Sequence, residues 1–317
     1  MKKLLAAGLL LLANAFLAQA VACTPDAQTL CLDEGRFEVQ IDWSDVAGNP
    51  KTLGNTNQSG SGAAHMQTDD TGLFSLFDDQ HYEVVVKALD GCPVNDRFWL
   101  FTAATTNVEY TIRVTDTDAN VLQEYTNPQG TDAPVVADTN AFDTCAVATT
   151  TSSAPLSAPP AIEFEPTEAG TCISSPTTLC LFSNRFAVSV DWVSNMNSGD
   201  GMGIPITNES GLFWFFNSNN VELIFNVYDG RPVNGNFWFF SSGLTNVEYH
   251  LTVEDTITGR TKTYSNPEAN TLAPTILDTS GFAPDSNPAQ PIPALSGLAL
   301  VLLSLIVGLV ALPRLRP

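Results

Sequence analysis

Residues 90–110 read DGCPVNDRFWLFTAATTNVEY and residues 229–249 read DGRPVNGNFWFFSSGLTNVEY, so the chain carries one passage twice, 139 residues apart. This duplication constrains the fold more than any other feature, because a repeat of domain length must be built as two copies of one unit. From Gly72 against Gly211 to Pro128 against Pro267, 24 of 57 positions are identical. Upstream, CTPDAQTLCLDEGRFEVQIDW at Cys23 returns as CISSPTTLCLFSNRFAVSVDW at Cys172, after which the second copy has a loop ten residues shorter. Phe142 and Phe282 close the two copies. The repeat therefore defines one module over 23–145 and another over 172–282. Residues 146–171 between them are rich in Thr, Ser, Pro and Ala. Such a composition buries no core and predicts an extended linker, with the modules as beads on a string.

Inside each copy the apolar residues recur with period two. Phe37, Val39, Ile41 and Trp43 alternate with Arg36, Glu38, Gln40 and Asp42; Phe186, Val188, Val190 and Trp192 repeat the pattern in the second copy. Val108, Tyr110, Ile112 and Val114 do the same. This is the signature of strands with one buried and one wet face. Further strands are expected near 72–77, 82–89, 97–103 and 122–127, with Asp-Gly and Asn-Pro turns between them. The expected fold class is all-β: two tandem antiparallel β-sandwiches of immunoglobulin-like size, six or seven strands each and no helical stretch.

The six cysteines divide according to the repeat. Cys23 and Cys31 recur at the same spacing as Cys172 and Cys180, which predicts a local disulfide in each copy. Cys92 and Cys145 have no counterparts, Arg231 and Asp285 standing at the aligned positions. Two cysteines missing together are expected to be partners, so Cys92–Cys145 is the third bridge. Disulfides in turn fit an exported chain.

Both ends support export. Residues 1–20, MKKLLAAGLLLLANAFLAQA, combine two lysines, an apolar stretch and the small residues Ala18 and Ala20 before a cleavage point, which reads as a secretory signal peptide. Residues 295–312 carry no charge and precede Arg314 and Arg316, as a transmembrane helix with a basic cytoplasmic flank does. A spacer, 283–291, separates this segment from the second module. Ile292, Pro293, Ala294, Leu295 and Ser296, with the apolar stretch and final arginines, resemble the bacterial sorting signals named for an Ile-Pro-Thr-Leu motif, relatives of the Pro-Glu-Pro signals of exosortases. Ala294 replaces the family's Thr, and Leu298-Ala299 its usual Trp-Gly. The resemblance implies a Gram-negative envelope, transient anchoring by the C-terminal helix within 292–317, an exosortase-like enzyme as partner, and release after C-terminal processing; the N-terminal segment makes signal peptidase the other expected partner. CLDEGRF, TDDTG, FWLF and TTNVEY, repeated as CLFSNRF, TNESG, FWFF and LTNVEY, also resemble an uncharacterised module of exported bacterial proteins. That likeness implies location rather than chemistry.

Composition excludes some functions. With 13 Lys+Arg against 34 Asp+Glu the net charge is −21, which repels phosphate backbones and argues against nucleic acid as a partner. The three histidines, His65, His81 and His250, have no histidine counterparts in the other copy and read as scattered surface residues. There is no nucleophile elbow and no phosphate-binding loop. The expected function is a non-enzymatic structural or interaction module, exported to the cell envelope or surface, with an extracellular ligand or protein as its partner and no cofactor. The alternative is a binding module for carbohydrate or calcium. Trp99 and Trp238 are its candidates for stacking on sugar rings. Asp69, Asp70, Asp90 and Asp229 are its candidates for calcium, against the plainer reading that Asp in such loops bonds its own backbone.

Overall fold

The computed structural model describes residues 22–54, 56–146, 170–194, 197–267 and 272–283. The expected signal peptide, the sorting signal with its helix and arginines, and nearly all of the 146–171 linker lie outside these residues. Among the described residues, no helix is long and apolar enough to cross a membrane.

The first copy contains β1 (Leu30–Leu32), β2 (Phe37–Asp45), β3 (Gln58–Ser61), β4 (Ala63–Met66), β5 (Thr71–Ser75) and β6 (Val84–Asp90). It continues through α1 (Cys92–Asn95), β7 (Phe98–Ala104), β8 (Glu109–Asp116), β9 (Val121–Asn127) and β10 (Val136–Phe142). One sheet has the order β1-β2-β8-β9, with β3 also on β2; the other runs β10-β7-β6-β5-β4. The second copy repeats this with β11 (Thr178–Leu181), β12 (Phe186–Val193), β13 (Ser198–Asp200), β14 (Met202–Pro205), β15 (Ser210–Trp214) and β16 (Val221–Tyr228). It ends with α2 (Arg231–Asn234), β17 (Phe237–Gly243), β18 (Glu248–Asp255), β19 (Arg260–Asn266) and β20 (Ile276–Phe282). Its sheets are β11-β12-β18-β19, with β13 on β12, and β14-β15-β16-β17-β20. Every pairing is antiparallel, as expected of a sandwich.

Among the described residues each copy has ten strands, and in the first copy β1, β3, β4 and β10 lie outside the expected positions; β3 and β4 carry the least pattern. β3 is QSGS and β4 is AAHM, neither rich in β-branched or aromatic residues. They are strands because β2 and β5 offer them a ladder. α1 and α2 are single turns.

Each core is filled by the period-two residues. Phe37, Val39, Ile41 and Trp43 point inward from β2 and meet Leu100, Phe98 and Phe142 of the opposite sheet. Phe37 lies 5.2 Å from Phe98 and 5.1 Å from Phe142, ring centre to ring centre. The alternation breaks at the residue just before β2 and just before β12, which corrects the sequence reading at one position in each copy. Arg36 and Arg185 are only 3% and 1% exposed. Arg36 pairs with Asp116 at 2.8 Å and Arg185 with Asp255 at 2.9 Å, and each guanidinium sits over a ring, Phe98 or Phe237. A charge is tolerated there because the partner carboxylate travels inside with it.

The three disulfides are Cys23–Cys31, Cys92–Cys145 and Cys172–Cys180, and no cysteine is free. Cys92 opens α1, so the long bridge ties the end of the first module to the β6–β7 connection.

The modules are not beads. In β16 all eight residues are buried, and in β17 all seven, where a sheet with one wet face would alternate. The cover on the outer face is the other module. Leu73, Val85 and Ala103 pack with Leu212, Val221, Ile224 and Leu244 in one cluster that belongs to neither core. Apolar residues on the outer faces of both second sheets gain more by leaving water together than the linker gains by keeping them apart.

Candidate functional site

Three groups were candidates for ligand binding, and the structure disposes of them differently. Asp69 and Asp70 meet a third acid, Asp33, with carboxylate oxygens within 4.8 Å of one another. Burial, and then the charge of Asp69 and Asp70, push the Asp33 carboxyl up to about 6. The loop geometry is set by backbone bonds: Asp33 donates its N–H to the Asp69 carbonyl at 2.9 Å, and Glu34 to the Asp69 carboxylate at 3.0 Å. The second copy has Phe182, Asn208 and Glu209 in these places, yet Phe182 still donates to the Asn208 carbonyl and Ser183 to the Asn208 side chain at 2.8 Å. An amide makes the same bonds in the second copy, so the structural role at this position does not require a carboxylate.

Asp90 and Asp229 serve the one-turn helices. Asp90 accepts the Cys92 N–H at 2.8 Å and Asp229 the Arg231 N–H at 3.1 Å. Asp229 also holds the Arg231 guanidinium at 2.8 Å, which keeps its carboxyl below the usual range. The two do not join a common acidic group with Asp69 and Asp70, although Asp90 adds to the field at Asp33.

The tryptophans lie flat on glycine. A Cβ on Gly91 would fall 2.1 Å from Trp99 Nε1, and one on Gly230 would fall 2.0 Å from Trp238 Nε1. Each indole N–H is taken, by Asn95 at 2.8 Å and Asn234 at 2.9 Å. Trp238 is 0% exposed, packed with Tyr228 and Phe240, and so offers no face to a sugar ring, contrary to the stacking expectation. Trp99 is half-buried.

The richest chemistry lies where no motif pointed, between the modules. His81, expected at the surface, is 3% exposed. Its Nδ1 meets Asp78 at 3.0 Å, its Nε2 meets Glu209 of the other module at 2.7 Å, and its ring stacks on Tyr228 at 3.9 Å. Burial opposes its charge, but the two carboxylates outweigh burial and hold its pKa up to about 10. Tyr228 donates its hydroxyl to Glu83 at 3.1 Å, and burial pushes Glu83 up to about 8. The other histidines fit the surface reading better: both are only half-buried, His250 lying 3.4 Å from Asp191 and His65 standing on β4.

A second cluster sits across the same interface. Lys87 of β6 donates from Nζ to the Asn220 side-chain oxygen at 2.5 Å and to the Val221 carbonyl at 3.1 Å. Asn220 in turn donates its amide N–H to Glu222, which also accepts the Phe215 N–H at 2.7 Å. Asn226, the residue aligned with Lys87, makes the reciprocal reach to the carbonyl of Tyr82, the residue aligned with Val221, at 2.8 Å. Such reciprocity marks a two-fold relation between the modules. A cleft opens beside the interface, lined by Lys51, Gln58, Phe77, Asp78, Thr106 and Tyr228.

Compared with known protein families, curated proteins and solved structures, the chain has no match.

Proposed function

We propose that the chain is a non-enzymatic exported protein, displayed at the cell envelope or surface, whose paired sandwiches act as one rigid structural or interaction body. The observation that carries this reading is the interface. Buried titratable side chains there (His81, Glu83, Lys87, Glu222) bond across or along the module boundary, so their chemistry goes into holding the two halves together. Three disulfides suit an oxidising compartment, and the acidic surface suits one outside the cytoplasm. The C-terminal segment is read as a sorting signal that anchors the body until an exosortase-like enzyme removes it.

The test is the intact mass of the protein recovered from its native host. A species lacking residues 1–20 and ending before Leu298 supports delivery outward. A species that retains Met1 contradicts export, and one that retains Arg316 places the body on a membrane tether facing the periplasm.

The acidic group of Asp33, Asp69 and Asp70 favours calcium as a second reading, with Asp90 nearby. Three carboxylates supply part of the six to eight oxygens that calcium takes. A melting temperature that does not change on adding calcium or a chelator removes this alternative. The carbohydrate version now rests on Trp99 alone, and glycan binding that survives Trp99→Ala excludes it.

A further inference from the structure

Lys87, Asn220 and Glu222 have a geometry beyond what a docking contact needs. A lysine amine lies 2.5 Å from the oxygen of a carboxamide, and a carboxyl group bonds the nitrogen of that same carboxamide. Lys87 and Glu222 are both 2% exposed and Asn220 is half-buried, and the amine lies 5.7 Å from the centre of the Phe101 ring. We propose that Lys87 and Asn220 form an intramolecular amide cross-link between the two modules, with Glu222 as the proton carrier.

The atoms balance without a cofactor. The Lys87 nitrogen bonds to Cγ of Asn220, and the bond from Cγ to the amide nitrogen breaks. Glu222 gives its proton to the departing nitrogen and takes one from the attacking amine. Ammonia leaves, a secondary amide remains, and Glu222 is restored. The reaction needs a neutral amine and a protonated carboxyl, and burial favours both, drawing Lys87 down and Glu222 up from their ordinary values while Asp70 and Glu222 itself oppose the change at Lys87. Folding supplies the remaining requirement, since fixing amine and amide in contact replaces a bimolecular encounter with an intramolecular one.

The repeat provides an internal control. The positions related to Lys87, Asn220 and Glu222 hold Asn226, His81 and Glu83. Both glutamates accept a backbone N–H from the preceding loop, Leu76 or Phe215, at 2.7 Å, so that contact is the shared structural role. The amine and the carboxamide occur together only on one side of the two-fold. The proposal does not depend on where the protein is delivered.

The purified chain, reduced and denatured, is weighed intact and then mapped by tryptic digestion after incubation near neutral pH. The expected result is a mass lower by one ammonia and a branched peptide joining Lys87 to Asn220. Lys87→Arg, Asn220→Ala and Glu222→Gln should each restore the full mass. A wild-type mass that retains every amide nitrogen overturns the proposal, as does a lost ammonia that maps to another residue. The wild-type map decides the matter even where a variant fails to fold. A cross-link that persists in Glu222→Gln overturns the role given to Glu222.

Discussion

Charges that fold inside set the sharpest expectations for single residues. Asp255→Ala removes the carboxylate that meets the buried Arg185 guanidinium at 2.9 Å, and the expected loss is about 3–5 kcal/mol in urea unfolding. Arg185 itself was misplaced by reasoning from period two, because alternation assigns a face and says nothing of what already covers it. Asp33 behaves in the opposite sense. Its folded pKa, about 6, lies above the ordinary 3.8, so the folded state holds the proton more tightly and loses stability as pH rises through that window. Asp33→Asn should therefore raise the melting temperature at pH 7.5 and change it little at pH 3.5. A melting temperature lowered equally at both values would show that the acid group acts independently of its charge, and would overturn this reading.

Among elements, the β6–β7 and β16–β17 connections explain why the opening passage is repeated. In both, a Gly-x-Pro-Val-Asn run makes one helical turn, Asn bonds the indole of the following Trp, and the Trp covers the Gly. Gly230→Ala forces Trp238 out of place, and the expected cost is about 1–3 kcal/mol by the same denaturation assay. Gly235→Ala tests a different constraint, the left-handed backbone at φ 80°. The first copy carries an additional restraint here. Cys92–Cys145 closes a span of 53 residues, and replacing both by Ser should cost about 2–4 kcal/mol. The bridges and the period-two strands could be read beforehand because repetition and alternation are local marks. β3 and β4 could not, because their pairing depends on neighbours brought up from elsewhere in the chain.

For the whole molecule, the prediction concerns unity. Ile224→Asp places a charge in the apolar cluster between the modules, so the single thermal transition expected of the wild type should divide into two. Docking should also respond to alkali. His81 gains its charged form from Asp78 and Glu209, with Glu83 and Tyr228 packed near, so its contribution is complete below pH 6.5 and is lost as pH rises through about 10. Small-angle scattering across that range should show the body loosening, and His81→Gln should remove most of the pH response. The amino-acid sequence alone determined the duplication, the all-β class, the alternating core and the cysteine pairs, since each is recorded in the order or spacing of residues along the chain. Only the tertiary structure decided that the modules dock, that His81 and Trp238 are buried, and that Lys87 meets Asn220. Those facts depend on which faces of two separately folded sheets remain apolar, and on which residues, 133 positions apart, the docking brings within reach.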